Sequence, residues 1–162
     1  MKIAITGHTS GLGQALYNHF SKNHEVIGLS RSNGYDIVTS TDCIINAVRG
    51  FDLFINNAHA GHCQGTLIKN LYDKIPIITS GSMAADYAQT NNPYFRDKKV
   101  IESTHKFFVK KGVHPMLLLK MGFLENYTDR PHIRYSEVIS AVEFWISTPR
   151  ITLIEFDNIN SK

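Results

Sequence analysis

Three stretches of this 162-residue chain place reactive groups at spacings that chemistry can use. In "NPYFRDKK" (92–99), Tyr94 stands four residues before Lys98. On a helix the two share one face, a turn apart. A free phenol, with a pKa of about 10, is a poor proton donor at neutral pH, and a neighbouring ammonium stabilises the phenolate. The pair is therefore either a proton-moving couple or two solvated residues on a helix surface. In "TGHTSGLG" (6–13), Gly7, Gly11 and Gly13 permit a tight turn and a close approach of backbone to phosphate. A helix opening directly behind such a loop adds N–H groups and the positive end of its dipole. The third stretch, "HAGHC" (59–63), offers two histidines and a cysteine, all of them zinc ligands. No second cluster in the sequence completes a metal site, so the expectation is no metal and histidines on a loop.

These groups act only if the chain brings them together, and the pattern of the sequence says how. Short apolar runs alternate with helical periodicity. Strands are expected at 2–6, 25–30, 51–56, 75–79, 115–120 and 151–156, with a very short one at "YDIV" (35–38). Helices are expected at 13–21, 41–49, 64–73, 94–110 and 136–147. Strands that read as unbroken apolar runs are buried on both faces, and alternation with helices makes them parallel. Right-handed crossovers then give an α/β fold, a doubly wound sheet of six to seven strands with helices on both faces. Such sheets bind ligands at the carboxyl ends of their strands, where strand order reverses. The residues to read for function are those just after positions 6, 56, 79 and 120.

Composition bounds the rest. The length suits one domain, spanning 1–162. With 43% apolar residues and no run approaching the ~20 of a membrane span, no membrane is expected as a partner. The start "MKIAITGHTS" leads straight into the first strand, and Cys43 and Cys63 are the only cysteines. Both features fit a reducing, cytoplasmic setting. A net charge of +3, with lysines in scattered pairs, suits a small anionic ligand better than a nucleic acid.

The run threonine-glycine, three residues, glycine, one residue, glycine at 6–13 resembles the short-chain dehydrogenase/reductase family, and the likeness recurs in order from residue 3 to about 156. "NNAH" (56–59) looks like the family's Asn-Asn-Ala-Gly, "ITSGS" (78–82) falls at its catalytic serine, and "YFRDK" (94–98) matches its Tyr-x-x-x-Lys. "KMGF" (120–123) stands at its usual Pro-Gly. The resemblance implies a Rossmann-like NAD(P)-binding domain that moves hydride between nicotinamide and a small carbonyl or alcohol. It implies Ser80 holding the substrate oxygen, with Ser82 in reserve, Tyr94 passing the proton, and Lys98 binding the ribose and tuning Tyr94. Gly7, Thr9, Ser10, Gly11, Leu12 and Gly13 would meet the pyrophosphate, and Asn57 and Ala58 would line the cleft. Asp36 and Ile37 would flank the adenine, and Gly122 and Phe123 the nicotinamide. Arg31 ends the second strand, where an arginine accommodates a 2′-phosphate, so NADPH is expected over NADH. The family commonly associates through the helices before its fifth and sixth strands, which implies a homodimer or homotetramer.

The sequence also departs from the family pattern. There is no room for a helix between 31 and 36, and only sixteen residues separate Ala58 from Ile75. That passage normally supplies an active-site asparagine, for which Asn70 is the local candidate. His59 replaces a glycine, Met121 a proline, and Asn126 stands where a cofactor-contacting threonine is common. The loop from Leu124 to Tyr135 holds Tyr127, Arg130, His132 and Arg134. Its arginines suit an acidic or phosphate-bearing substrate, the cofactor phosphates, or plain solvent. Two rival readings follow: a non-catalytic NAD(P)-binding sensor of the same fold, and a module that binds no cofactor.

Overall fold

The computed structural model describes residues 1–87, 91–126 and 129–158. Its strands are β1 (Lys2–Thr6), β2 (Glu25–Leu29), β3 (Leu53–Asn56), β4 (Ile77–Ser80), β5 (Met116–Met121) and β6 (Leu153–Phe156). They form one parallel sheet in the order β2-β1-β3-β4-β5-β6. Helices α1 (Gly11–Phe20), α2 (Thr41–Ala47), α3 (Cys63–Leu71), α4 (Pro93–Val109) and α5 (Tyr135–Ser147) connect them. Among the described residues no helix is long and apolar enough to cross a membrane.

Both faces of the sheet are covered, as the unbroken apolar strands require. Side chains alternate along β1: Ile3 and Ile5 meet Leu16 and Phe20 of α1 and Val142 and Trp145 of α5, while Ala4 faces the other way. On that second face Phe54 packs with Ile44 of α2, Leu67 and Ile68 of α3, and Ile101 of α4. Strand order reverses between β1 and β3, so their carboxyl ends part and leave a crevice.

The segment 35–38 is not a strand. Residues Arg31–Asn33 form a 3-10 turn after β2, and the chain then bends back towards α2. The Asp36 carboxylate accepts the Val38 N–H at 2.8 Å, and the Asp36 carbonyl accepts the Ser40 N–H at 2.7 Å. This local Asx bonding satisfies the backbone without a partner strand. β2 is consequently the edge, and among the described residues the sheet has six strands.

Candidate active site and cofactor cleft

The glycine loop builds one wall of the crevice. Gly7 has φ +72°, a conformation that favours glycine, and a Cβ there would lie 3.1 Å from Ala58. Gly13 serves packing instead, since a Cβ on it would come within 2.1 Å of the Gly7 carbonyl oxygen. It is buried with Leu12 inside the first turn of α1, so neither lines the open cleft. Gly11 is exposed and has φ +53°, and a Cβ there would lie in ordinary contact with the Tyr135 phenol oxygen at 3.5 Å. No side chain caps the α1 N-terminus and no acid sits in its first turn, which leaves its positive end facing the crevice. The cleft encloses about 960 Å³ and is lined by Gly7, Thr9, Ser10, Arg31, Asp36 and Ile37, and across from them by Asn57, Ala58 and His59. Its size and its anion-favouring end fit a dinucleotide.

The opposite wall is stitched together at the strand ends. Thr6 is fully buried, and its hydroxyl oxygen accepts the N–H groups of Asn57 (2.9 Å) and Ala58 (3.0 Å), tying the loop after β3 to β1. Asn57 Oδ1 accepts the Ser80 hydroxyl at 3.0 Å, which brings in β4. Gln64, fully buried in the first turn of α3, donates from Nε2 to the Asn56 carbonyl (2.8 Å) and the Ser80 carbonyl (3.2 Å). Lys98 of α4 reaches the same point, donating to Gln64 Oε1 at 2.9 Å and to the Ser80 carbonyl at 3.1 Å. Only 4% of Lys98 is exposed, and burial pushes its pKa down to about 8 against the smaller opposing pull of Asp97.

Tyr94 stands one turn before Lys98. Asn92 caps α4 by accepting the Tyr94 N–H at 3.0 Å, and Pro93 takes the first helical position, where its missing N–H costs nothing. The Tyr94 ring is 40% exposed, with the Lys98 ammonium 5.8 Å from its centroid. His59 meets the ring edge to face at 5.0 Å. Burial and the Lys98 charge depress the His59 imidazole below its ordinary pKa, against Asp97 and a hydrogen bond with Gln64. Lysine, tyrosine and histidine thus gather beside the rim of the cleft.

The remaining expected residues fall in several places. Ser82 accepts the Ala84 N–H at 3.2 Å within its own turn, while Ser80 joins the stitched strand ends. Asn70 donates back to the Thr66 carbonyl inside α3, and the residue of that helix that reaches Lys98 is Gln64. Gly122 and Phe123 follow β5, where Asn158 clasps the Phe123 backbone through its N–H (2.6 Å) and carbonyl (3.0 Å). Arg130 pairs with Asp129 and lies 4.6 Å over the Phe123 ring. His132 Nδ1 is 3.1 Å from the Arg130 carbonyl, and the Arg134 N–H is taken by Glu137 at the start of α5. The Tyr135 phenol donates to Asn126 Oδ1 at 3.5 Å, and Tyr127 lies outside the described residues. Among the described residues no three His, Cys, Asp or Glu converge as a metal site. Thr6, Gln64 and Asn158 are the participants that sequence reasoning missed.

No family model matches the sequence, and neither does any curated protein. Solved structures match its shape. A small-chain dehydrogenase in complex with NADPH aligns over 98% of this chain and 97% of its own, with a TM-score of 0.75 and 19% identity. The 3-ketoacyl-(acyl-carrier-protein) reductase of Brucella melitensis, complexed with NADH, aligns over 99% and 98%, at 0.75 and 16%. The protein lin1944 of Listeria innocua aligns over 97% and 100%, at 0.76 and 15%. The fold is the doubly wound α/β fold of the Rossmann type. More particularly, it is the fold of the short-chain dehydrogenases and reductases.

Proposed function

We propose that this protein is a cytoplasmic, shortened short-chain dehydrogenase/reductase that uses NADPH to reduce a small carbonyl, or NADP to oxidise the matching alcohol. The observation that carries this reading is the Lys98 ammonium, buried a helical turn after Tyr94 and hydrogen-bonded to the end of β4. A buried lysine is costly unless it works, and the sheet holds this one beside the cleft rim.

When bound, the nicotinamide supplies or accepts the hydride. Gly7, Thr9, Ser10 and the α1 N-terminus hold the pyrophosphate, Asp36 and Ile37 flank the adenine, and Arg31 takes the 2′-phosphate. Asn57 and Ala58 line the cleft, Lys98 binds the ribose, and Gly122 and Phe123 face the nicotinamide. Ser80 Oγ holds the substrate oxygen, Tyr94 Oη gives it a proton, and the Lys98 charge stabilises the phenolate that remains. Oxidation of NADPH followed at 340 nm against small ketones, aldehydes and ketoacyl thioesters tests the reading. Binding without turnover of any of them would overturn the enzymatic part.

A second reading, a non-catalytic NADPH-binding regulator, draws on Ser80. Its hydroxyl already donates to Asn57 and the residue is only 5% exposed, as suits a purely structural serine. The same turnover panel separates the two. We also infer a homodimer or homotetramer built on α3 and α4, since Val100 (49%) and Phe107 (57%) are exposed along α4 beside a groove shared with α3.

A further inference from the structure

We propose that Gln64 is a positioning residue for Lys98: it aims the ammonium at the Tyr94 side of the site and keeps its charge unspent. This rests on the proposed reductase reading for its purpose, though not for its geometry. The amide of Gln64 has no freedom to flip. Its NH₂ faces two backbone carbonyls, Asn56 at the end of β3 and Ser80 at the end of β4, and carbonyls only accept. Its Oε1 is therefore turned to Lys98 Nζ, which only donates. The helix is fixed in turn, because the Gln64 carbonyl accepts the Asn56 side-chain amide at 2.9 Å.

The consequence for Lys98 follows by counting its donors. Of three N–H bonds, one goes to Gln64 and one to the Ser80 carbonyl. The third has no acceptor among the described residues, and the Tyr94 ring centroid lies 5.8 Å from Nζ. A neutral acceptor suits this task better than a carboxylate. Glutamate at 64 would neutralise the ammonium and set its oxygens against the Asn56 and Ser80 carbonyls, whereas glutamine holds the charge in place without cancelling it. The titratable or charged groups facing Lys98 are Asp97 on its own helix, His59 from the β3–α3 loop and Tyr94.

The test is NMR titration of protein labelled at lysine Cε and Nζ and at the glutamine side-chain amide, with no cofactor or substrate present. In the unaltered protein the Gln64 amide resonances should follow the Lys98 titration, with its midpoint near pH 8. In Gln64→Glu the Lys98 midpoint should rise by about one pH unit or more, and in Gln64→Met it should fall. In any accepted reaction, the basic limb of the kcat/KM profile should move with it, which a merely structural clamp would not cause. Gln64 resonances indifferent to Lys98, or an unchanged Lys98 midpoint in a folded variant, would overturn the proposal; the first needs no variant to fold. Coupled titration in a protein that turns over no carbonyl keeps the Gln64–Lys98 contact and defeats the reductase reading instead.

Discussion

Replacing Lys98 with methionine should make the stability difference between variant and parent depend steeply on pH. Burial lowers the lysine pKa from 10.5 to about 8, and at 1.36 kcal/mol per unit that gap corresponds to about 3 kcal/mol. The sign follows from proton counting. Between pH 8 and 10.5 the unfolded chain keeps the Lys98 proton and the folded chain loses it, so stability rises with pH in that window. Below pH 8 the folded protein bears the full cost of the buried charge. Methionine removes the cost but leaves Gln64 Oε1 and the Ser80 carbonyl without their ammonium donor, a loss of about 1–3 kcal/mol. Near pH 7 the two effects should almost cancel. Towards pH 10 the parent should gain on the variant by about 2–3 kcal/mol. Urea denaturation of both proteins from pH 7 to 10 measures this, and taking the difference removes the titration of tyrosines common to both. A difference that stays flat across the range would mean that the Lys98 ammonium pays no desolvation cost, and the account of the site would fail with it.

Tyr94→Phe should leave cofactor affinity nearly unchanged while turnover falls ~10²-fold or more, as expected for loss of a positioned acid. Steady-state rates beside NADPH titrations decide it, and full turnover in the variant would sink the role given to the phenol. The parent should bind NADPH more tightly than NADH, and Arg31→Asp should reverse the order by trading a phosphate partner for an acceptor of the 2′-hydroxyl; a parent indifferent between the two cofactors removes Arg31 from the site. Light scattering at micromolar concentration should report a dimer or tetramer, and Phe107→Glu on the exposed side of α4 should shift it to monomer. A parent that is already monomeric refutes the inferred assembly.

How much of this was legible in the chain depended on how local each signal is. The alternation of apolar runs with helical periodicity is local, and it gave every strand of the sheet and every helix to within a few residues. The glycine loop was legible because turn geometry and helix start sit side by side in 6–13. "YDIV" misled because its composition is strand-like, whereas the Asp36 carboxylate two residues before Val38 offers the backbone a competing bond. Gln64 was invisible for another reason. A glutamine at a helix start looks like a solvated residue until the ends of β3 and β4 close around it. Thr6 and Asn158 share that fate, since their partners lie 51 and 35 residues away.

The shortened connections bear on how the site can survive them. β2 is followed by a single 3-10 turn and α3 begins seven residues after β3, so little chain is available to brace a pocket from outside. The bracing lies instead in side chains that bond across strand ends: Thr6 to the loop after β3, Asn57 to Ser80, and Gln64 to the ends of β3 and β4. Each bond ends on a strand already fixed by the ladder, so a crossover can shrink without moving Ser80, and Lys98 is held through Ser80 and Gln64. Tyr94 is placed differently. It sits at the second position of α4, set by the Asn92 cap and Pro93, with much of its ring open to solvent. The lysine is thus fixed by the sheet and the tyrosine by a helix end. Substrate or cofactor entering the cleft would find the charge already in place, and the phenol is the partner left with room to adjust.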